Sequence, residues 1–510
     1  MSDFLTIVGP TGQPIPKSAL SSDYYEAAGT GRRLSTWGLS QYGPNSALSG
    51  SLASVRSRTR KLISNNPVAG GAVDSFVSNM VGSGINPRWN LDEEEIKEEL
   101  QLLWEDSSTE MDAYGVSDIY GLEEQTARSM FDGGATLARF RPRYMSDGLV
   151  VPLQVQLLES DHLDASYNTI APNGNQIRQG IEWNALGQRV AYWLLREHPG
   201  EYYFQSLWAT GDRVRVDAAD VLHVYRPLRI GQAHGVPWMA SIIVKLNDID
   251  QYDDAEVVRK KSAAMWGGFF TNTPSQSGSS DAYAAQFGKK STDSNDRTII
   301  AMEPGTFTEL QAGQEVQFSE PADVGGNYQA FMRQQFLLVA RGIGITYEQL
   351  TGDLANVNYS SIRAGLIEFR RLCETIQLRT LVFQFCRPIA DRWLTTAVMS
   401  GATKKLTIKK YLQDKRKYHR ITWVADGWDY VDPLKDVMSD LIKVRAGFES
   451  REAIVSLGGK DILRIDKETI LANSRADQNG LIHDSDPRKT EKSGAMQQAE
   501  DKTIKEAIGE

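Results

Sequence analysis

The sequence predicts an α+β protein in which helices dominate, and three observations carry that reading. Apolar residues recur at helical spacing over two long stretches, the block between residues 136 and 225 changes to period-two alternation, and no run of about 18 apolar residues occurs. Of the 510 residues, 41% are hydrophobic and 24% charged, the balance of a folded soluble chain. The N-terminus lacks a basic segment followed by an apolar core, so the expected protein is neither secreted nor membrane-spanning. A chain of this length divides into roughly two to four domains.

Residues 1–49 are rich in Ser, Gly and Pro without periodicity and read as a weakly ordered arm carrying Arg32, Arg33 and Trp37. A helix is expected over 48–63, with Arg56, Arg58, Arg60 and Lys61 as a solvated basic face. Pro67 can open the next helix, whose apolar side is Val73, Phe76, Val77 and Met80 and which Gly82 can end. An acidic helix over 92–106 follows, with Ile96, Leu100 and Leu103 on one side. Its run Asp92-Glu93-Glu94-Glu95 lies in the first turn, where the helix dipole favours it, and needs no metal. After a further helix over 119–131, strands are expected at 136–141, 149–158, 188–195, 202–207 and 221–225, parted by turns such as Asn173-Gly174 and Pro199-Gly200. His198 and His223, within this block, read as hydrogen-bonded structural histidines.

Residues 239–266 read as one helix with Ile242, Leu246, Ile249, Tyr252 and Ala255 on a stripe. A Thr, Ser, Gly and Pro tract at 271–280 comes next, then a short helix near 282–287 and strands at 297–302 and 307–310. Tyr328, Met332, Phe336 and Val339 make a second helical stripe that stops at Gly342-Ile343-Gly344. A polar loop over 350–361 leads to Ser360, placed to cap a long helix with Ile362, Leu366, Phe369, Cys373, Ile376 and Phe383 on its stripe. About 35 residues of such a helix would span roughly 50 Å, unless Pro388 kinks it. Cys373 and Cys386, both on this rod, are too far apart for a bridge and read as small buried hydrophobes. Asp432 and Pro433 form a cap and first turn for helices expected at 434–446, 450–457 and 461–476, and the charged last segment, 477–510, reads as disordered.

Five stretches, in order, resemble the lambda-like family of tailed-phage portal proteins. They are RSRTRKLISNNPVAGGAVDSFVSNMVGSGINPRW, GIEWNALGQRVAYWLLREHPG, HVYRPLRIGQAHGVPW, LTGDLANVNYSSIRAGLIEFRR and WVADGWDYVDPLKDV, within about 50–475. One departure falls at His234, where the family pattern has an Arg before the Gly, which puts a cationic contact there in doubt. The resemblance implies a portal fold: wing 50–238, stem helices 239–266 and 327–344, clip 267–326, tunnel loop 345–361, long helix and wing return 362–430, and crown 431–476. It also implies a ring of about twelve copies at one capsid vertex of the virion, assembled in the host cytoplasm, through which double-stranded DNA enters and leaves. The partners implied are the terminase large subunit, capsid and scaffold proteins, and then a head-completion or tail connector. DNA-channel contacts would come from Thr351, Gly352, Asp353, Asn356, Asn358 and Tyr359 of the loop.

The net charge of −9 argues against a protein whose main task is gripping nucleic acid, although an acidic wall suits DNA that must slide past. One basic stretch stands out, holding Lys404, Lys405, Lys409, Lys410, Lys415, Arg416, Lys417 and Arg420 with Tyr411 and Tyr418 interleaved, as in nucleic-acid surfaces. It reads as a DNA contact or, more commonly for such patches, a solvated or capsid-facing surface. No catalytic residues, metal ligands or cofactor are expected. Gly288-Lys289-Lys290-Ser291 and Gly459-Lys460-Asp461 both miss the phosphate-loop pattern, and neither a His-Glu-x-x-His nor a Gly-x-Ser-x-Gly motif occurs. The carboxylate pair Asp253-Asp254 points apart on a helix. The alternative class is a phage nuclease assembled from scattered acids.

Overall fold

The computed structural model describes residues 36, 41–201, 212–264, 268–272, 291–292, 298–299, 314–318, 327–355, 357, 359–428, 432–460 and 462–481. The N-terminal part opens with α1 (Pro44–Ser49), α2 (Leu52–Asn65) and α3 (Pro67–Val81). Asn66 caps α3 by accepting the Ala69 N–H at 3.0 Å, with Pro67 at the first helical position. Strand β1 (Asn86–Trp89), α4 (Glu94–Ser108) and α5 (Ile119–Asp132) follow. Two sheets come next. The smaller orders β2 (Ala135–Pro142) between β3 (Leu153–Glu159) and β9 (Val221–Tyr225), both antiparallel to it. The larger is an antiparallel meander of β4 (Thr169–Ile170), β5 (Gln176–Arg178), β6 (Ile181–Trp183), β7 (Arg189–Leu195) and β8 (Arg213–Asp217).

The expected helix over 48–63 is in fact two, α1 and α2, parted at Gly50 and Ser51. Its basic face is also partly internal. Arg56 is buried and donates Nε–H to the Gly133 carbonyl at 2.8 Å, and Arg60 reaches Glu159 and Asp161 at 2.8 and 2.5 Å. Burial lowers the Arg56 guanidinium to about 10. Strands β1, β4, β5, β6 and β8 have no counterpart in the sequence reading, because two to five residues are too few to show an alternation.

Beyond the sheets, a short 3₁₀ turn (Trp238–Ser241) leads into α6 (Ile243–Ala264). Ile242, Leu246 and Ile249 are buried as expected, but Ala255 is exposed and Glu256, paired with Arg259, is buried in its place. Short antiparallel pairs join β10 (Gly268–Asn272) to β13 (Gln314–Phe318), and β11 (Ser291–Thr292) to β12 (Thr298–Ile299). The expected helix at 282–287 and the strands at 202–207 and 307–310 lie outside the described residues, as do Arg32, Arg33, Trp37 and residues 482–510.

Helix α7 (Asn327–Ile343) lies against α6: the Tyr252 and Tyr328 rings stack with centroids 6.0 Å apart, and the Tyr328 hydroxyl donates to Asp253. Next come α8 (Tyr347–Thr351) and a continuous helical rod: α9 (Tyr359–Ile376), a π-helical stretch (Gln377–Cys386) and α10 (Arg387–Ser400). The Arg387 N–H bonds to the Val382 carbonyl, an i→i−5 contact, just before Pro388. Proline has no N–H for the carbonyl four residues back and its ring crowds that carbonyl, and the wider turn absorbs both. The rod therefore continues through Pro388, but its phase slips. Phe383, expected on the buried stripe, is 62% exposed, while Leu381, Val382, Phe385 and Cys386 turn inward. Both cysteines are buried and unbridged.

The rod runs through the core. Trp393 meets Trp104 at 5.0 Å and Trp89 at 5.6 Å between ring centroids, and its Nε1–H donates to Ser107 Oγ at 2.8 Å. Gln384 docks it on β9, accepting the Tyr225 N–H and donating to the Tyr225 carbonyl, each at 3.0 Å, as a strand edge would. After α11 (Ile408–Gln413), α12 (Lys415–Tyr418) and β14 (Ile421–Val424), the chain has returned to its start, β14 pairing antiparallel with β1. Asp426 then accepts from the N–H and hydroxyl of Ser83 at 2.5 and 2.7 Å. Gly82, at φ +59°, makes room for it, since a Cβ there would sit 2.4 Å from the carboxylate. Helices α13 (Pro433–Arg445), α14 (Arg451–Leu457) and α15 (Ile462–Gln478) close the chain, with Asp432 capping α13 as expected.

Candidate functional site

The segment between α7 and the rod is more built than a polar loop. Thr346 and Gln349 form a reciprocal cap for α8: the Gln349 N–H bonds Thr346 Oγ1 at 3.2 Å and the Thr346 N–H bonds Gln349 Oε1 at 3.0 Å. Thr351, expected in the loop, is the last residue of α8 and returns its hydroxyl to the Tyr347 carbonyl at 2.9 Å. Gly352 ends the helix at φ +70°, its N–H on the Glu348 carbonyl at 2.8 Å. Asp353 folds back on the loop. Its Oδ1 accepts the Ala355 N–H at 3.0 Å, and its other oxygen lies 4.0 Å from Arg333 of α7, whose guanidinium stacks over Tyr347 at 4.5 Å. Both of its carboxylate oxygens are thus turned to local partners, and Leu354, 64% exposed, projects instead. Asn356 and Asn358 lie outside the described residues. The next helix begins at Tyr359, so Ser360 falls inside its first turn and not at its cap.

The basic stretch is folded against the acidic helix α4. Lys405 pairs with Glu95 at 3.2 Å, Lys410 and Lys417 with Glu93 at 3.6 and 2.7 Å, and the Glu99 carboxylate accepts the backbone N–H groups of Lys404, Lys405 and Leu406. The hydrogen bond to Lys417 holds the Glu93 carboxyl below its usual range. Lys404, Lys409, Lys415 and Arg416 are exposed. Tyr411 and Tyr418 do not serve as stacking platforms. Both are buried, and the Tyr411 hydroxyl sits 2.9 Å from His419 Nε2, whose other nitrogen is 2.5 Å from Asp391. The acid run, separately legible, thus neutralises part of the basic run.

Histidines behave differently from expectation. His223 is buried with neither ring nitrogen hydrogen-bonded, and burial with the neighbouring His234 holds it neutral, well below its usual value. His234 donates Nε2–H to the Gln179 carbonyl at 3.0 Å, and burial lowers it to about 4. No cation stands at that position. His198 does take a hydrogen bond, from the Gly200 N–H to Nδ1 at 3.1 Å.

Among the described residues, Glu159, Asp161 and His198 gather donor atoms closely enough to invite a metal reading. Arg60 already fills that space, binding both carboxylates. The Gly200 N–H also occupies the Nδ1 lone pair, which leaves Nε2 protonated towards Glu159 at 3.4 Å and unable to ligate. Glu123 gave no sequence signal at all. Fully enclosed at the α5 face, it accepts the Ile85 N–H at 2.8 Å and the Cys386 thiol at 3.3 Å, and burial pushes its carboxyl up to about 8.

A family model described as phage portal protein, lambda family, matches residues 30–377. The chain is similar to a probable portal protein of Halomonas phage phiHAP-1, 28% identical over 315 residues, 61% of this chain and 56% of that protein. It is 20% identical over 503 residues to portal protein B of Escherichia phage lambda, covering 90% of each. The portal protein of Escherichia phage N15 is 19% identical over 494 residues, 90% of this chain and 91% of that one. Among solved structures, a chain from the neck of a native gene transfer agent particle computed with C12 symmetry aligns at a TM-score of 0.44 with 15% identity, over 84% of this chain and 99% of that chain. An HK97 family phage portal protein from Corynebacterium diphtheriae aligns at 0.32 with 13% identity, over 61% and 85%.

Proposed function

The chain belongs to the lambda family of phage portal proteins, and from that premise we propose that it forms a ring at one capsid vertex of the virion, the channel for packaging and ejection of double-stranded DNA. It is a structural protein and not an enzyme, as the names of its relatives have it. In the proposed ring, residues 50–238 are the wing, α6 and α7 the stem, 267–326 the clip, 345–361 the tunnel loop, 362–430 the long helix and wing return, and 431–476 the crown. The clip docks first the terminase large subunit, which supplies the energy, and later the tail connector. Capsid and scaffold proteins meet the outside of the ring.

One observation supports the channel reading most. The segment between Gly352 and α9 leaves a capped helix and enters a rod that Trp393 and Gln384 anchor in the core, so both elements that carry it are held. Repeated by symmetry, such loops make a collar. Thr351, Gly352, Asp353, Asn356, Asn358 and Tyr359 are the residues proposed to meet DNA as it slides, with the exposed Leu354 beside them. The basic stretch at 404–420 is a weaker candidate for DNA, since three of its lysines are paired with Glu93 and Glu95 at the start of α4.

The test is single-particle imaging of the purified chain with mass by light scattering on the same sample. About twelve copies of the 56.7 kDa chain give a closed ring of roughly 0.7 MDa with an axial hole. A monomer at every concentration and salt, with or without scaffold protein, refutes the ring. Deleting residues 352–358 from rings that still assemble should alter packaged DNA length or rate; unchanged values remove the loop from the mechanism.

A further inference from the structure

One face of β2 turns from apolar to basic along its length. Near its start Leu137 is buried with Leu163, Ile181 and Leu194 in the core under the larger sheet. Past it, Arg139, Arg141 and Arg143 follow at alternate positions, so their side chains leave the same face about 6.8 Å apart and span roughly 14 Å. Their neighbours on β3 are amides, Gln156 opposite Arg139 and Gln154 opposite Arg141. Arg143, just beyond the strand, still gives its N–H to the Pro152 carbonyl at 3.0 Å and its Nε–H to Gln154 at 2.7 Å. Among the described residues none of the three is paired with a carboxylate. Asp220, the acid that acts on Arg139, is held by Arg392 at 2.9 Å. All three arginines are half-buried, and burial together with Arg141 lowers the Arg139 guanidinium. Three like charges stacked on a half-buried face repel one another, and the chain offers them no counter-charge of its own even though its net charge is −9.

We propose that this arginine ladder is a docking surface for an extended acidic segment of another protein, one with carboxylates at alternate positions. An extended peptide repeats its side chains on one face at the same spacing of about 6.8 Å, so three carboxylates meet three guanidiniums in register. Each guanidinium presents a planar fork that a carboxylate fits with two hydrogen bonds. Beside the ladder, Gln156 donates to the Tyr114 hydroxyl at 2.8 Å, which leaves the Tyr114 O–H to donate in turn. Exposed Tyr144 and Met145 follow at the Arg143 end and offer apolar contact to a peptide's side chains. Nucleic acid fits less well, because acids bound the ladder at both ends. Asp220 lies towards Arg139, while Asp147, which accepts the Tyr144 N–H at 3.1 Å, and Glu110, which accepts the Val150 N–H at 2.9 Å, lie towards Arg143. A phosphate backbone that runs on past three residues would meet them, and a short peptide segment ends before it does. A single chain presents this face, so the proposal stands or falls separately from the ring reading.

The experiment titrates the full-length chain into a fluorescein-labelled peptide carrying three glutamates at alternate positions with threonine between them, and follows fluorescence anisotropy. Binding should saturate and weaken with salt, and a peptide of the same composition with its glutamates adjacent should bind about tenfold more weakly. Arg141→Gln, which removes the central rung, should weaken binding about tenfold, and Arg141→Lys by less, because it keeps the charge and loses the fork. Arg139→Gln combined with Arg141→Gln should abolish it. The side chains of Arg139 and Arg141 have no hydrogen-bond partner among the described residues, so melting of these variants should hold or rise. Lys409→Gln with Arg416→Gln, in the exposed part of the basic stretch, should leave binding unchanged. No binding, or an affinity that Arg141→Gln does not change, overturns the proposal. Tighter binding of a single-stranded oligonucleotide of equal charge, lost in the same variants, overturns it in favour of nucleic acid. Self-assembly that fails in Arg141→Gln, with no peptide bound by the parent chain, overturns it in favour of a second copy.

Discussion

Replacing Glu123 with Gln should make this protein more stable above neutral pH than it is now. The carboxyl is 2% exposed and accepts from the Ile85 N–H and the Cys386 thiol, and its pKa stands at about 8 against an ordinary 4.5. With the folded value raised, the folded chain holds a proton that the unfolded chain has released. Its stabilisation is then complete below the unfolded value and drains away as pH rises, by about 1.4 kcal/mol per pH unit until the folded value is passed. Over the 3.5 units between the two values that sums to roughly 5 kcal/mol. A glutamine can keep its oxygen on the Ile85 N–H and turn its amide towards the Cys386 sulfur, which accepts weakly, so the swap itself should cost about 1 kcal/mol. A cooperative unit of about 350 residues has an unfolding entropy near 0.7 kcal/mol per kelvin, so the variant's melting temperature should gain on the parent by about 2 °C per pH unit. Thermal scans of both chains at constant ionic strength from about pH 5 to about pH 8 measure this directly. Two parallel curves, with a difference that does not grow with pH, would refute the argument that Glu123 is held protonated.

Three further outcomes can be checked on the same material. Trp393→Ala removes the indole that touches both Trp89 and Trp104 and should cost about 3–5 kcal/mol in denaturant unfolding; a loss below about 1 would mean the core closes over the gap. Glu182 accepts from Arg215, Asn173, Asn175 and Trp193, and chiefly the bond from Arg215 draws its carboxyl down to about 2. Its contribution is therefore full above the ordinary 4.5 and lost only as pH falls towards about 2, and Glu182→Ala should cost about 2–3 kcal/mol at neutral pH and erase that acid resistance in a tryptophan-fluorescence titration. Lys417→Glu beside Glu93 should lower the melting temperature slightly at low salt, the loss should vanish at about 1 M salt, and adding Glu93→Lys should restore it; a salt-independent loss would mean the pair matters through packing.

The chain's own local chemistry determined a good deal. Asp432 was readable as a helix start because its side chain satisfies an N–H three residues on, a signal contained within a few positions; Asn66 and Thr346 do the same, the first beside the Pro67 read as a helix opener and the second before a short helix that the sequence reading took as loop. The stripes of α3, α6, α7 and α9 were legible for the same reason, and the five collinear motifs placed the family. Tertiary structure decided what pairs across long separations. Nothing near Lys417 in sequence says that Glu93 neutralises it, or that Arg56 leaves its helix's basic face to reach Gly133. Glu123 and Cys386 meet across 263 positions, and only their common enclosure raises the carboxyl. Phe383 turned outward because Pro388 imposed a wider turn, which a fixed helical period cannot foresee. Sequence periodicity marks a face as apolar, but whether anything covers that face is set by the whole fold: the rod's stripe is covered by the chain's own core, and Leu434, Val437 and Leu441 of α13 are left exposed.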